Sequence, residues 1–351
     1  MLRQLARLTR PVPAAGPDAL ALGVYTDPSG ELVAASESGF EGVACVDDTA
    51  RLLDVLCDVW SATGSTEVER WARGLLEFVL WMQEPDGRWL NFVYDWAGSR
   101  NEGGITSSTG ENFWHARALS SVSHAWLTFD DERARAALHR GLEHAVTRPA
   151  PADVRAVHVL VGLRLLAEGS PPPDMAGAVR RWADEIASCR VDGVLMNNPD
   201  EHGAPHLWAH IQEGVLVEAA RSLQDPTLIA AAVESAERLW VPFVRERFDR
   251  PSVTPYDVAC AVYALDRLAR VDVEGWLDLS ASARAWFELT DASGRPVFDR
   301  EHGRVADGVD AGRVSENSGA EANIVAAEAL FPDAVASVEA AVALLPARAR
   351  R

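Results

Sequence analysis

Residues 49–82 read TARLLDVLCDVWSATGSTEVERWARGLLEFVLWM, and this stretch decides the fold class. Leu52, Leu53, Leu56, Val59 and Trp60 recur at three- and four-residue spacing, which places them on one stripe of an α-helix from Thr49 to Trp60. Gly64-Ser65 breaks the pattern, and a second amphipathic run follows from Val68 to Met82. Helix, short break and helix make a hairpin. Five more follow: 111–126 with 130–147, 153–168 with 174–188, 206–223 with 226–244, 256–270 with 274–289, and 318–330 with 333–345. No βαβ alternation interrupts them, so the expected class is all-α, with about six helical hairpins.

A faint internal repeat supports one array. Asp86-Gly87-Arg88-Trp89-Leu90-Asn91, Asp192-Gly193-Val194-Leu195-Met196-Asn197 and Ser293-Gly294-Arg295-Pro296-Val297-Phe298-Asp299 each combine a turn signal, a short apolar segment and a polar residue. Recurrence of a helix-turn-helix unit indicates a closed or solenoidal array, and six hairpins suit closure into a toroid. The expected organisation is an irregular segment at 1–40, the helical array at 41–345 and a basic tail at 346–351. Within the first segment, Leu20 to Thr26 and Glu31 to Ala35 flank Asp27-Pro28-Ser29-Gly30, the signature of a minor β-hairpin.

Composition narrows the partners. The chain has 351 residues, 48% of them hydrophobic, and 33 Lys+Arg against 52 Asp+Glu give a formal net charge of -19. Such a field repels phosphate backbones and anionic lipid, so neither nucleic acid nor membrane insertion is expected. Cys45, Cys57, Cys189 and Cys260 are scattered without a CxxC pair, which indicates neither a disulfide framework nor a metal site. Met1 to Pro13 carries arginines and no apolar h-region, and a reducing cytoplasm fits this sequence. No cofactor is expected.

Acids, amides and aromatics crowd the loops ahead of alternate helices. Asp47, Asp48 and Arg51 open the first; Trp89, Asn91, Tyr94, Asp95 and Glu111 precede the second. Further along, His206, His210 and Glu213 stand near the fourth, Tyr256 and Asp257 at the fifth, and Glu316 and Glu321 before the sixth. In a ring of hairpins these loops share one rim, and paired carboxylates with flat aromatic faces suit a sugar. Local structure also offers plainer roles. Asp47 precedes an apolar run as a helix N-cap does, and Arg51 can pair with Asp47 or Asp48 one turn back. Ser108-x-x-Glu111 and Ser318-x-x-Glu321 match the capping box, and Thr254-Pro255 ahead of Asp257 is a cap-plus-Pro start. His206 and His210 lack an HExxH context and read as packed or hydrogen-bonded histidines rather than metal ligands.

On Val46-Asp47-Asp48-Thr49-Ala50-Arg51, Asp86-Gly87-Arg88-Trp89-Leu90-Asn91-Phe92-Val93-Tyr94-Asp95-Trp96 and Ser107-Ser108-Thr109-Gly110-Glu111, the chain resembles the six-hairpin glycosidase-like superfamily of (α/α)6 barrels. More narrowly, it is similar to the bacterial helical domains associated with group 1 glycosyltransferases. That pattern has an Arg after the Gly at the second inner helix, where this chain has Glu111-Asn112. The resemblance implies a carbohydrate-active protein taking a saccharide or glycoconjugate, with a glycosyltransferase as a further candidate partner. The leading expectation is a glycoside hydrolase with Asp48 and Glu316 as acid and base and Glu111 in reserve. Asp47, Arg51, Trp89, Asn91, Tyr94, Asp95, His206, Glu213, Tyr256, Asp257 and Glu321 are the candidate substrate-binding residues. The alternatives are a non-catalytic saccharide-binding module and an isomerase like the N-acylglucosamine 2-epimerases.

Overall fold

The structure, a computed structural model, describes residues 1–169, 171–201, 203–271 and 275–346. The fold is all-α. In chain order the helices are α1 (Leu2–Leu8), α2 (Val46–Thr63), α3 (Thr66–Trp81), α4 (Phe113–Phe129), α5 (Glu132–Thr147), α6 (Ala152–Ala167), α7 (Met175–Ser188) and α8 (Gln212–Leu223). They continue with α9 (Pro226–Arg238), α10 (Trp240–Arg245), α11 (Pro255–Leu268), α12 (Trp276–Arg284), α13 (Ala320–Ala329), α14 (Phe331–Ala336) and α15 (Val338–Val342). Two compact units divide the chain: one holds Met1–Arg148, Phe298–Asp307 and the residues from Val314 onward, the other Pro149–Val297 and Gly308–Arg313.

In the first unit α2 packs against both α3 and α4, and α13 packs on α2. The first and last hairpins of the sequence are therefore neighbours. The stripe read from the sequence makes these contacts: Leu52, Leu53, Leu56 and Val59 are all wholly buried. Small residues on α4 (Ala116, Ala118, Ser121, Ala125) let its backbone come close to α2. Gly64 ends α2 in the left-handed conformation, at φ 64, with its N–H on Trp60 O. The side-chain oxygen of Ser65 caps α3 by accepting from Val68 N. Trp71, Phe78 and Trp89 fill the core around α3, and burying each such ring contributes roughly 2–3 kcal/mol.

The second unit repeats the arrangement with α6 against α7, α8 against α9 and α11 against α12, while α8 also packs on α6 and α11. The repeated turns are structurally equivalent in each unit. After the turn, Leu90 N bonds Met82 O at 3.2 Å, Met196 N bonds Cys189 O at 2.8 Å, and Val297 N bonds Leu289 O at 2.9 Å. Gly87 is irreplaceable in its copy: it sits at φ +95, and an added Cβ would lie 2.3 Å from Arg140 O.

Several boundaries differ from those expected. The opening segment is not irregular throughout, because Leu2–Leu8 forms α1 and packs on α13 and α15. Tyr25–Thr26 and Leu32–Val33 do pair as the small hairpin. The α8 helix starts at Gln212 rather than at 206, since Ala209 takes φ 59 and the preceding residues form a turn. The last arm, expected at 333–345, is broken into α14 and α15 at Ser337. Residues 347–351 of the expected tail, together with His202 and position 274, lie outside the described residues. Among the described residues no helix is long and apolar enough to cross a membrane.

Candidate functional site

The first unit concentrates charge where α2 begins. Ala44–Cys45 pairs antiparallel with Phe92–Val93, so the chain enters α2 from a short two-stranded ladder. Asn91, on the end of that ladder, is 4% exposed and holds the helix start: its carbonyl accepts from Val46 N at 2.8 Å and its Oδ1 from Asp47 N at 3.0 Å. Its own amide donates to Thr106 O at 2.9 Å, which fixes the side chain from the other direction. The N-cap is Cys45, whose Sγ accepts from Asp48 N at 3.4 Å, and not Asp47 as the sequence suggested. With the cap supplied by sulfur, both carboxylates are released to make other contacts from the first turn.

Asp47 takes an ion pair from Arg117 of α4, whose guanidinium lies 4.6 Å over the Phe113 ring. Asp48 is 5% exposed. Arg51 Nη1 lies 3.4 Å from Asp48 Oδ1 and 3.1 Å from Oε1 of Glu321, in the first turn of α13. One buried guanidinium thus ties the first hairpin to the last, with Glu321 as the more exposed carboxylate. Burial pushes the Asp48 carboxyl up to about 7; Arg51 opposes that shift, and the charges of Glu321 and Asp47 add to it. Asp307 is raised to about 6, again by burial, against the N–H of Gly319 and with the charge of Glu321. Tyr25 is raised too, first by burial, then by its 2.7 Å bond to Glu37 and by the charges of Glu37, Asp48 and Glu321. Burial thus raises two carboxyls of this unit, Asp48 and Asp307, and the charge of Glu321 adds to both shifts.

The remaining expected residues of this unit are placed differently. Glu316 is exposed on the loop ahead of α13, and it is Glu321 that reaches Arg51. Neither expected capping box forms: Asn112 caps α4 by accepting from His115 N, and α13 starts at Gly319 without a side-chain cap. Glu111 lies 3.8 Å from His144 of α5. Trp89 is wholly buried with its indole N–H on Val79 O at 2.8 Å, so it offers no face to a ligand. Asp95 is an exposed turn residue accepting from Gly98 N and Ser99 N. Tyr94 does present a ring: it is 38% exposed and stacks on Phe40 at 5.9 Å and 12°. Arg117 and Asp307 were not singled out as site residues. Asp307 stands alone before a Gly in a polar loop, and nothing marks Arg117 as the partner of an acid 70 positions back.

In the second unit Glu213 is wholly buried and accepts from Ser235 Oγ at 2.6 Å, Trp240 Nε1 at 3.1 Å and His210 Nε2 at 3.1 Å. Burial would raise this carboxyl, but His210, Ser235 and Trp240 together hold it below the usual range. His210 is also wholly buried, with its other ring nitrogen 2.8 Å from Asn197 Oδ1. Asp257 forms a full capping box with Thr254 at the start of α11. Tyr256 is 8% exposed, and its ring lies 5.4 Å from that of Trp208. His206 is exposed on the loop before α8, 4.0 Å from the buried carboxylate of Asp153.

No protein-family model matches the sequence, and no curated protein matches it either. Solved structures do match. A sugar epimerase from a ruminal bacterium superposes with a TM-score of 0.71 at 12% identity, over 91% of this chain and 92% of that one. The cellobiose 2-epimerase from Bacillus thermoamylovorans B4167 gives 0.71 at 9% identity, over 97% and 96%. The GH76 α-mannanase from Bacteroides thetaiotaomicron gives 0.55 at 13% identity, over 85% and 88%. The chain shares the (α/α)6-barrel fold of these proteins. That fold carries more than one chemistry in these three proteins alone, so the reaction must be argued from side chains.

Proposed function

We propose that this (α/α)6 protein is a carbohydrate-active enzyme, most simply a glycoside hydrolase, with Asp48 as its general acid. The observation that carries this reading is the buried Asp48 carboxyl, which shares the Arg51 guanidinium with Glu321 on a helix start capped by Cys45 and which burial pushes up to about 7. At neutral pH such a group exists in both protonation states and can deliver a proton to a leaving glycosidic oxygen. Asp307, raised to about 6, is the second carboxyl; as the carboxylate it takes a proton from a water whose oxygen bonds to the anomeric carbon, while the C–O bond to the leaving group breaks and Asp48 protonates the departing oxygen. Glu321 shares the guanidinium of Arg51 with Asp48, so its role is to tune Asp48 rather than to face it across a sugar. The exposed Phe40–Tyr94 stack supplies a flat apolar face.

The test is turnover of a panel of oligosaccharides and aryl glycosides. Asp48→Asn and Asp307→Asn are expected to lower kcat by about 10²–10⁴-fold while keeping a cooperative thermal transition. Full activity in Asp48→Asn removes that residue from the reaction. A second reading, a sugar epimerase, is favoured by the TM-scores of 0.71 to two epimerases against 0.55 to the mannanase. Deuterium incorporation into recovered sugar in heavy water, without hydrolysis, selects it.

A further inference from the structure

We infer that the second unit carries a saccharide-binding site of its own, formed by Asp153, His206 and the Trp208–Tyr256 ring pair. Internal repetition first draws attention to Asp153. Asn197 closes the repeated turn as Asn91 does, and its carbonyl accepts from Ala152 N at 2.7 Å and Asp153 N at 3.3 Å, as that of Asn91 accepts from Val46 N. Asp153 thus occupies at the start of α6 the place that Asp47 occupies at the start of α2. Unlike Asp47, it pairs with no arginine among the described residues. It is 5% exposed, its Oδ1 accepts from Val154 N at 2.7 Å, and its Oδ2 is aimed at His206 Nε2 across 4.0 Å. That gap is too long for a hydrogen bond and leaves an acceptor and an imidazole that a hydroxyl can bridge.

Hydrogen bonds hold the backbone at His206 in place. Glu201 accepts from Asn197 N at 2.9 Å through one oxygen and from His206 N at 3.0 Å through the other. Asn197 Nδ2 donates to His206 O at 2.9 Å. The backbone of His206 is therefore pinned from both sides, while its side chain is 51% exposed. Two residues on, half-buried Trp208 is braced by the ring of Tyr256 at 5.4 Å. A buried carboxylate acceptor, an exposed imidazole and a supported indole face match a neutral polyol ring: hydroxyls to the first two, a C–H face to the third. Burial raises the Asp153 carboxyl, against Val154 N–H and the charges of His206 and His210, which agrees with a carboxylate lacking a full set of donors.

This inference rests on the saccharide reading above, and its test separates the two. Isothermal titration with cellobiose and methyl α-mannoside is run on the wild-type chain, Asp48→Asn, Asp153→Asn and Trp208→Ala, while the His206 ring protons are followed by NMR. The expected result is saccharide binding that shifts the His206 resonance, persists in Asp48→Asn, and weakens tenfold or more in Asp153→Asn and in Trp208→Ala. Binding that is unchanged in both second-unit variants overturns the inference and leaves the Asp48 reading standing. Binding to neither sugar by the wild-type chain overturns this site. Turnover lost in Asp48→Asn but kept in Asp153→Asn and Trp208→Ala supports the first reading, while the weakened binding of those two variants carries the second.

Discussion

Two carboxylates, Asp48 and Glu213, are both out of solvent, yet their surroundings push them in opposite directions. Glu213 collects donors from Ser235, Trp240 and His210, and the sum outweighs the cost of burial. Asp48 has a cysteine sulfur, a guanidinium at 3.4 Å that it shares with Glu321, and two nearby acids. Depth alone therefore does not make a carboxyl reactive. What matters is how many donors meet it, because an unsatisfied buried charge favours taking up a proton. Donors lower the Glu213 carboxyl; burial raises that of Asp48.

The largest effect that tests this contrast is the loss of Glu213. Glu213→Gln keeps the size but turns one acceptor into a donor facing Ser235, Trp240 or His210, and breaking such a buried network costs about 3–5 kcal/mol. Chemical denaturation is expected to show that loss at pH 7. Because the Glu213 carboxyl is held below its unfolded value, its contribution is present above the unfolded pKa and disappears as pH falls through the folded one. A Glu213→Gln chain as stable as the wild type would make the two acids alike.

Asp48→Asn is expected to do the reverse. The folded carboxyl is raised, so its contribution is fully present below the unfolded pKa and is lost as pH rises from about 4 toward the folded value of about 7. Removing the ionisable group removes that penalty, and the variant should gain up to about 4 kcal/mol over the wild type at pH 8 and little at pH 4. A gain in stability joined to a loss of turnover is the signature of a site that trades one for the other. Equal stability of the two chains at pH 8 counts against the raised value.

A smaller effect sharpens the role of the neighbours. Glu321→Gln removes a charge that raises Asp48 and a charged competitor for Arg51, and both changes lower the Asp48 pKa. The fall of activity at high pH should then begin about one unit lower, with kcat at its optimum nearly kept. An unmoved profile would assign Glu321 a purely structural bond. Asn91→Ala should act through position: it frees Asp47 N from Asn91 Oδ1 and Thr106 O from the side-chain amide, while the backbone bond to Val46 N stays, costing about 1–3 kcal/mol and lowering kcat more than it raises KM.

Much of the fold was legible in residues 46–82, because a helical stripe of Leu and Val followed by Gly64 states both an element and its end. The repeated turns were legible for the same reason, since Gly87, Gly193 and Gly294 all take positive φ. The helix starts were harder to read. Asp47 looks like a cap and Cys45 does not, yet sulfur takes that place and frees the acids. Distance in sequence hid the rest. Local reading favoured Glu316 for its polar loop, whereas reaching Arg51 depends on how α13 lies against α2, which puts Glu321 there. Trp89 shows the opposite error: in a polar loop it reads as a ligand platform, but the Asp86-Gly87 turn folds it inward onto Val79.

The most direct measurement is the titration of the Asp48 carboxyl itself, by carbon-13 NMR of aspartate-labelled protein with Asp48→Asn used to assign the signal. A midpoint near 7, moving down in Glu321→Gln, is the expected result. A midpoint at the ordinary aspartate value of about 4 would contradict the account, because Asp48 would then be fully ionised at neutral pH with no proton to give.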